Sequence, residues 1–198
     1  MLPMRDGITI YFVRHGETDW NATRRYQGQR DIPLNDRGRE QAFRNGEALR
    51  SLLPAIADAD YVASPFARAR ETMEIVRGSL GLPAEGYRID ARLKELNYGH
   101  WEGLLQADLP ALDPQGLAER AKDPLRWRPK GGESYADLLA RTVDWLAGVG
   151  QDTVISGHGG VGRAMRAHLL GLAPETIPDL ESPQDRVLVL TRGAMQWL

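Results

Sequence analysis

Arg14-His15-Gly16-Glu17-Thr18 sets a guanidinium, an imidazole and a carboxylate directly after the apolar run Ile8–Val13. Two further segments likewise set an arginine or a histidine shortly after an apolar run. Ser64-Pro65-Phe66-Ala67-Arg68 follows Tyr61-Val62-Ala63, and Gly157-His158-Gly159-Gly160 follows Thr153-Val154-Ile155-Ser156. Guanidinium groups match phosphate oxygens with forked, charge-assisted hydrogen bonds. A neutral imidazole held between them can attack phosphorus, and neighbouring arginines disfavour its protonated form. In this reading Arg14 and Arg68 hold the non-bridging oxygens of a phosphoryl group as charge redistributes in the transition state. His158 adds another donor if it is protonated. A leaving alkoxide needs a proton, for which a carboxylic acid is the natural source. Glu17, Glu95 and Glu102 are the candidates.

These residues need elements to position them. Residues 8–13 and 61–64 read as short buried strands, and 153–156 as a third. Helices are expected from Asn35 to Leu53, with Asn35 or Asp36 near the N-cap, and from about Ala67 to Leu80. Two more are expected over Tyr135–Val149 and Val161–Leu170. A short strand is expected within Tyr87–Leu93. Arg186–Thr191 reads as a late strand, paired with Ala194–Leu198 around Arg192-Gly193. Strands alternating with helices imply an α/β fold with both faces of a parallel or mixed sheet covered. Ligands in such sheets bind beyond the carboxyl ends of the strands, where all three polar segments fall.

Several other readings carry less. Gly157-His158-Gly159-Gly160-Val161-Gly162 satisfies the dinucleotide-binding pattern G-x-G-x-x-G between a strand and a helix. It comes late in the chain, the next strand ends in Thr191 without the expected acid, and His158 occupies a pattern position. His100 and His168 read as structural or exposed, the latter on a solvated helix face with Arg163 and Arg166. The five tryptophans read as packing residues rather than a nucleic-acid stacking platform. The arginine-dense stretch Arg24–Arg50 also carries Asp31, Asp36, Glu40 and Glu47, and reads mostly as a solvated face.

The 198 residues hold 25 basic and 27 acidic side chains, a net charge of −2. No global field draws the chain to nucleic acid or to an anionic membrane. Cysteine is absent, which excludes a disulfide framework, a thiolate nucleophile and a Cys-ligated metal. No segment is long and apolar enough for a membrane span, so a soluble, cytoplasmic protein is expected.

Taken together, the separated blocks resemble the histidine phosphatase superfamily, in its phosphoglycerate-mutase-like branch. Arg14-His15-Gly16-Glu17-Thr18 with Trp20-Asn21 resembles its signature. Gln27-Gly28, Asp31-Ile32-Pro33-Leu34 and Gly38 resemble the segment that follows, and Ser64–Ala69 with Thr72 the second arginine block. Leu93–Gly103 resembles the acid-bearing block, and Gly131–Ser134 and Ser156–Gly160 complete the series, which runs from Val13 to about Arg192. The resemblance implies a three-layer α/β/α sandwich with a central mixed, mostly parallel sheet. It implies one domain over residues 1–198, with a short variable cap at about 104–130. His15 would be the nucleophile, passing through a phosphohistidine, and Arg14, Arg68 and His158 would form the phosphate pocket. Glu95 would protonate the leaving oxygen and later activate water, while Glu102 would be a structural partner. Asn21, Gln27, Gly28 and the Gly159 backbone would line the pocket, with Thr18 of the signature among the substrate-binding residues. No metal or other cofactor is implied.

The family contains mutases and phosphatases. Mutases carry a longer region after the acid block, with an adjacent arginine pair. Here residues 104–130 are short, and Arg120, Arg126 and Arg128 are spread along them. The expectation is therefore a phosphatase of small phosphorylated metabolites, with mutase-type phosphoryl transfer as the alternative and phospho-ligand binding without turnover behind it. An acid block also points to an oxygen leaving group rather than to protein phosphohistidine. Monomer and homodimer are both compatible with the sequence.

Overall fold

In the computed structural model, which describes Met4 and residues 6–198, a six-stranded sheet is flanked by helices. The strands are β1 (Ile10–Arg14), β2 (Asp60–Ala63), β3 (Arg88–Ile89), β4 (Thr153–Gly157), β5 (Val187–Thr191) and β6 (Ala194–Trp197). Their order is β3-β2-β4-β1-β5-β6. β3, β2, β4 and β1 run parallel, whereas β5 is antiparallel to both β1 and β6. The sheet is thus mixed and mostly parallel, as the resemblance implies.

The helices are α1 (Asp19–Ala22), α2 (Asp36–Arg50), α3 (Ala67–Ser79), α4 (Leu109–Leu112), α5 (Pro114–Lys122), α6 (Tyr135–Ala147) and α7 (Gly159–Leu170). Alternate side chains of each strand enter opposite layers, as the two-residue period of a strand requires. Ile10 and Phe12 of β1 join Ile155, Leu138, Leu146 and Val161 in the core beneath α6 and α7. Val13 joins Val154, Ala63, Leu49, Met73 and Val76 beneath α2 and α3.

Helix ends follow their sequence signals. Asn35 caps α2, accepting the Gly38 amide at 2.9 Å. Ser134 caps α6 in a reciprocal box with Asp137. Phe66 at the N-cap of α3 has no capping side chain, and Asp31 reaches over to accept the Ala67 amide at 2.9 Å.

The short strand expected within Tyr87–Leu93 is Arg88–Ile89, and it ends where the chain enters a single 3-10 turn over Ala91–Leu93 capped by Asp90. Two expectations are corrected. Helix α7 starts at Gly159, directly after His158, rather than at Val161. Arg163 and Arg166 do not lie on a solvated face, since most of α7 is buried. Arg163 donates to the Leu180 carbonyl at 2.6 Å, and Arg166 is largely covered.

The glycine pattern 157–162 has a packing cause. Side chains at Gly157 and Gly162 would run into the Phe12 ring, and one at Gly160 would run into the Glu95 carboxylate and Leu138. These glycines bring α7 close to the sheet and make room for an acid.

Candidate active site

β2, β4 and β1 are neighbours, so their carboxyl ends bring Ser64, His158 and His15 to one edge of the sheet. A cavity of about 140 Å³ opens there. Its wall includes Arg14, His15, Asn21, Gln27, Gly28, Arg68, Glu95 and Gly159, all anticipated from the sequence. His158 is wholly buried beside it, with its ring centroid 5.1 Å from that of His15. Thr18 does not line the cavity. It is buried at the N-cap of α1, where it accepts the Asn21 amide at 3.2 Å and meets Gln27 at 2.6 Å.

The proton positions on His15 follow from one contact. Its Nδ1 lies 2.7 Å from the Gly16 carbonyl oxygen, which can only accept. Nδ1 therefore carries the hydrogen and Nε2 is left with a free lone pair. Burial, reinforced by the Arg68 and Arg14 charges, holds the imidazolium pKa of His15 well below its ordinary value. His15 is thus neutral and oriented in the folded protein, with Nε2 facing the cavity it lines. His158 is shifted the same way, by burial first and then by Arg68, His15 and Arg14. A donor role for His158 through protonation, as expected from the sequence, is thus opposed by its surroundings.

The two arginines are held by the main chain. Arg68 is wholly buried and donates to the carbonyls of Arg30 at 2.7 Å and Gly28 at 2.8 Å. With its amide oxygen facing Arg68, Gln27 accepts from Nε at 2.6 Å. Burial brings the Arg68 pKa down to about 10, which still leaves the group charged at neutral pH. Arg14 donates to the Ser182 carbonyl, and its Nε is buried with no partner among the described residues. Gly159 packs against this guanidinium, where a Cβ would lie 3.5 Å from Nε, in ordinary van der Waals contact.

The structure separates the three candidate acids. Glu17 accepts from the Asn35 amide nitrogen at 3.1 Å and pairs with Arg37. Glu102 accepts the Gln29 amide at 2.8 Å and pairs with Arg30, and its carboxylate occupies the space next to Gly28. Only Glu95 reaches the cavity. Its Oε1 accepts the amides of Leu96 at 2.8 Å and Gly160 at 3.1 Å.

Arg25, Tyr26, Tyr98, Gln106 and Arg163 also line the cavity and were not singled out from the sequence. Arg163 had one usable signal, since it lies four residues after Gly159 and so on the same helix face. Gln106 comes from the segment 104–130, which is tied to the site by backbone bonds from Tyr26 to Leu104 and from Gln106 to Arg24 and by a hydrogen bond from Arg120 to the Tyr26 hydroxyl at 3.0 Å. Arg126 and Arg128 pair with Asp123 and Asp137 and are absent from the cavity wall. Ser182 and Gln184 act from outside. Gln184 donates to the His15 carbonyl at 3.0 Å and to Asn21 at 3.1 Å. Among the described residues, no group of three His, Asp or Glu side chains is arranged to hold a metal ion, and no helix is long and apolar enough to cross a membrane.

The fold and this constellation define a phosphoryl-transfer type of site, and the comparisons give its family. Residues 10–198 match the histidine phosphatase superfamily (branch 1), and the chain belongs to it. It is 36% identical over 183 residues to a glucosyl-3-phosphoglycerate phosphatase of Mycolicibacterium vanbaalenii, covering 86% of this chain and 78% of the relative. It is 29% identical over 179 residues to a 2,3-bisphosphoglycerate-dependent phosphoglycerate mutase of Gloeobacter violaceus, covering 87% and 80%. Among solved structures, a mycobacterial glucosyl-3-phosphoglycerate phosphatase complexed with VO3 superposes with a TM-score of 0.79 at 30% identity, covering 97% of each chain.

Proposed function

We propose that the protein is a phosphatase of small, anionic phosphomonoesters that works through a phosphohistidine on His15 without a metal ion. The observation that carries this reading is the state of His15. It is buried and neutral, with Nδ1 tied to Gly16, Nε2 free, and Arg14 and Arg68 close enough to depress its protonation. In the first step Nε2 attacks phosphorus and the ester P–O bond breaks. Glu95 gives its proton to the leaving oxygen. In the second step Glu95 takes a proton from water, whose oxygen attacks phosphorus and breaks the P–N bond. Arg14 and Arg68 hold the non-bridging oxygens in both steps, with His158 as a further donor. Asn21, Gln27, Gly28 and Gly159 shape the pocket, and Thr18 holds Asn21 and Gln27 in place.

Within this single domain, residues 104–130 serve as a cap over the substrate's non-phosphate end, through Gln106. Arg25 and Arg163 are cavity cations beyond the two assigned to phosphate, so the leaving portion is expected to carry its own negative charge. A phosphorylated hydroxy acid meets that description, in keeping with the phosphatase relatives. Mutase chemistry is the second reading, favoured by the mutase relative. It is weakened here because Arg126 and Arg128, the arginines of the cap that could hold a second anionic group, are paired on the surface.

Phosphate release from a panel of phosphomonoesters, in chelator and with His15→Ala as control, tests the proposal. The panel includes 3-phosphoglycerate with and without 2,3-bisphosphoglycerate, also followed for isomerisation. Release by the wild type alone is expected. Isomerisation without net release would establish the mutase reading instead.

A further inference from the structure

His158 sits between the end of β4 and the start of α7, and its ring reaches the residue that follows β2. Its Nε2 lies 2.7 Å from Ser64 Oγ, while its Nδ1 is buried without a partner among the described residues. Ser64 is also wholly buried. Its amide donates to the Ser156 carbonyl, and its hydroxyl meets no hydrogen-bonding group other than His158 among the described residues.

Two proton arrangements fit the contact. If Nε2–H donates to Ser64, the hydroxyl hydrogen has no acceptor and Nδ1 presents a bare lone pair. Two buried polar groups are then unsatisfied, and the lone pair would repel the oxygens of a phosphoryl group. If Ser64 O–H donates to Nε2, only the Nδ1–H remains unpaired, and a phosphoryl oxygen satisfies it. Buried polar groups without partners are costly, so the second arrangement is preferred in the empty site and more so in the occupied one.

We propose that Ser64 is a positioning residue that holds His158 as the neutral Nδ1–H tautomer, so that His158 donates to the phosphoryl group without carrying a charge. Burial beside Arg14 and Arg68 disfavours the charged alternative. His15 and His158 then share one tautomer for opposite purposes. On His15 the Gly16 carbonyl takes the Nδ1–H and frees the Nε2 lone pair, whereas on His158 Ser64 takes the Nε2 lone pair and frees the Nδ1–H. The inference rests on the phosphoryl site proposed above.

Long-range proton–nitrogen correlation spectra of the ¹⁵N-labelled wild type, with His158 assigned by comparison with His158→Asn, read the tautomer directly. Nδ1 protonated and Nε2 bare is expected, with and without orthovanadate. A proton on His158 Nε2 would overturn the proposal. Ser64→Ala is expected to mix the tautomers and to weaken both kcat and orthovanadate binding roughly 10–100-fold, less than the outright loss of an oxyanion donor at its upper end. Ser64→Thr, which keeps the hydroxyl, should recover most of that loss. Wild-type kcat and orthovanadate affinity in Ser64→Ala, or equal losses in both variants, would also count against it. If Ser64→Ala does not fold, the wild-type spectrum alone decides. The phosphatase reading fails separately, if the wild type releases phosphate from no ester.

Discussion

The Glu95 carboxylate rests on the first turn of the helix that follows His158, accepting the Gly160 amide at 3.1 Å through Oε1 and at 3.3 Å through Oε2. The proposed acid and the proposed phosphate pocket are therefore anchored to the same structural element. Gly160 is required at that point, because a Cβ there would push on Oε1. Gly160→Ala is expected to lower kcat for alkyl phosphates by tenfold or more while leaving the circular dichroism spectrum unchanged. An unaffected rate would mean that Glu95 need not sit where the structure places it.

Glu95→Gln tests the acid itself. General acid catalysis contributes roughly 10²–10⁴-fold, and more for a poor leaving group. The kcat for an alkyl phosphate should fall within that range, while p-nitrophenyl phosphate, whose leaving group needs little protonation, falls much less. Steady-state kinetics on the two esters decides, and equal losses would remove Glu95 from the role.

Arg163 reaches the cavity from α7 while its Nε stays on the Leu180 carbonyl. A hydrogen bond to a charged group contributes about 1.5–3 kcal/mol, or roughly 10–100-fold. Arg163→Met should cost kcat/KM for 3-phosphoglycerate by that factor and leave p-nitrophenyl phosphate within a few-fold of wild type. Parallel losses on both would place Arg163 in the phosphate pocket rather than at the leaving group.

The buried histidines couple stability to pH. His15 and His158 both have pKa values well below the ordinary one in the fold, by burial first and then by neighbouring arginines. In the unfolded chain they protonate near about pH 6.5. Below that pH the unfolded chain binds more protons, so stability is complete above about 6.5 and is lost as pH falls toward the folded-state values. Tm should drop between pH 7 and 5, and His158→Asn should show a shallower slope. Identical slopes in calorimetry would contradict this.

Asp31 tests how the second arginine block is held. Its carboxylate caps the Ala67 amide one residue before Arg68. Removing such a cap costs about 1 kcal/mol, so Asp31→Ala should lower Tm by roughly 2–4 °C in a chain of this size. No change in Tm would show the cap to be dispensable.

Much of this was legible in the sequence because strand ends announce themselves. Apolar runs followed by Arg14-His15, Ser64–Arg68 and Gly157-His158 told where polar groups must converge, and the sheet order makes these runs neighbours. The three glutamates could not be told apart by the residues alone. Their difference is which partner each meets, Asn35 for Glu17, Gln29 for Glu102 and Gly160 for Glu95, and all are distant in sequence. Arg163 was misread because it was grouped with Arg166 and His168, three polar residues of one helical run, as a solvated face. Here that face turns inward, closed by the Leu180 carbonyl and Tyr135. Ser64 stood in a recognised block, but its contact with His158 requires β2 beside β4.

The central claim is a covalent intermediate on His15. Rapid mixing with substrate, quenching in alkali to preserve phosphohistidine, and peptide mass analysis would test it most directly. One phosphoryl group is expected on the peptide containing His15, formed and lost at rates that account for turnover, and absent in His15→Ala. Phosphate release at the wild-type rate with no adduct on that peptide, or turnover retained in His15→Ala, would contradict the account.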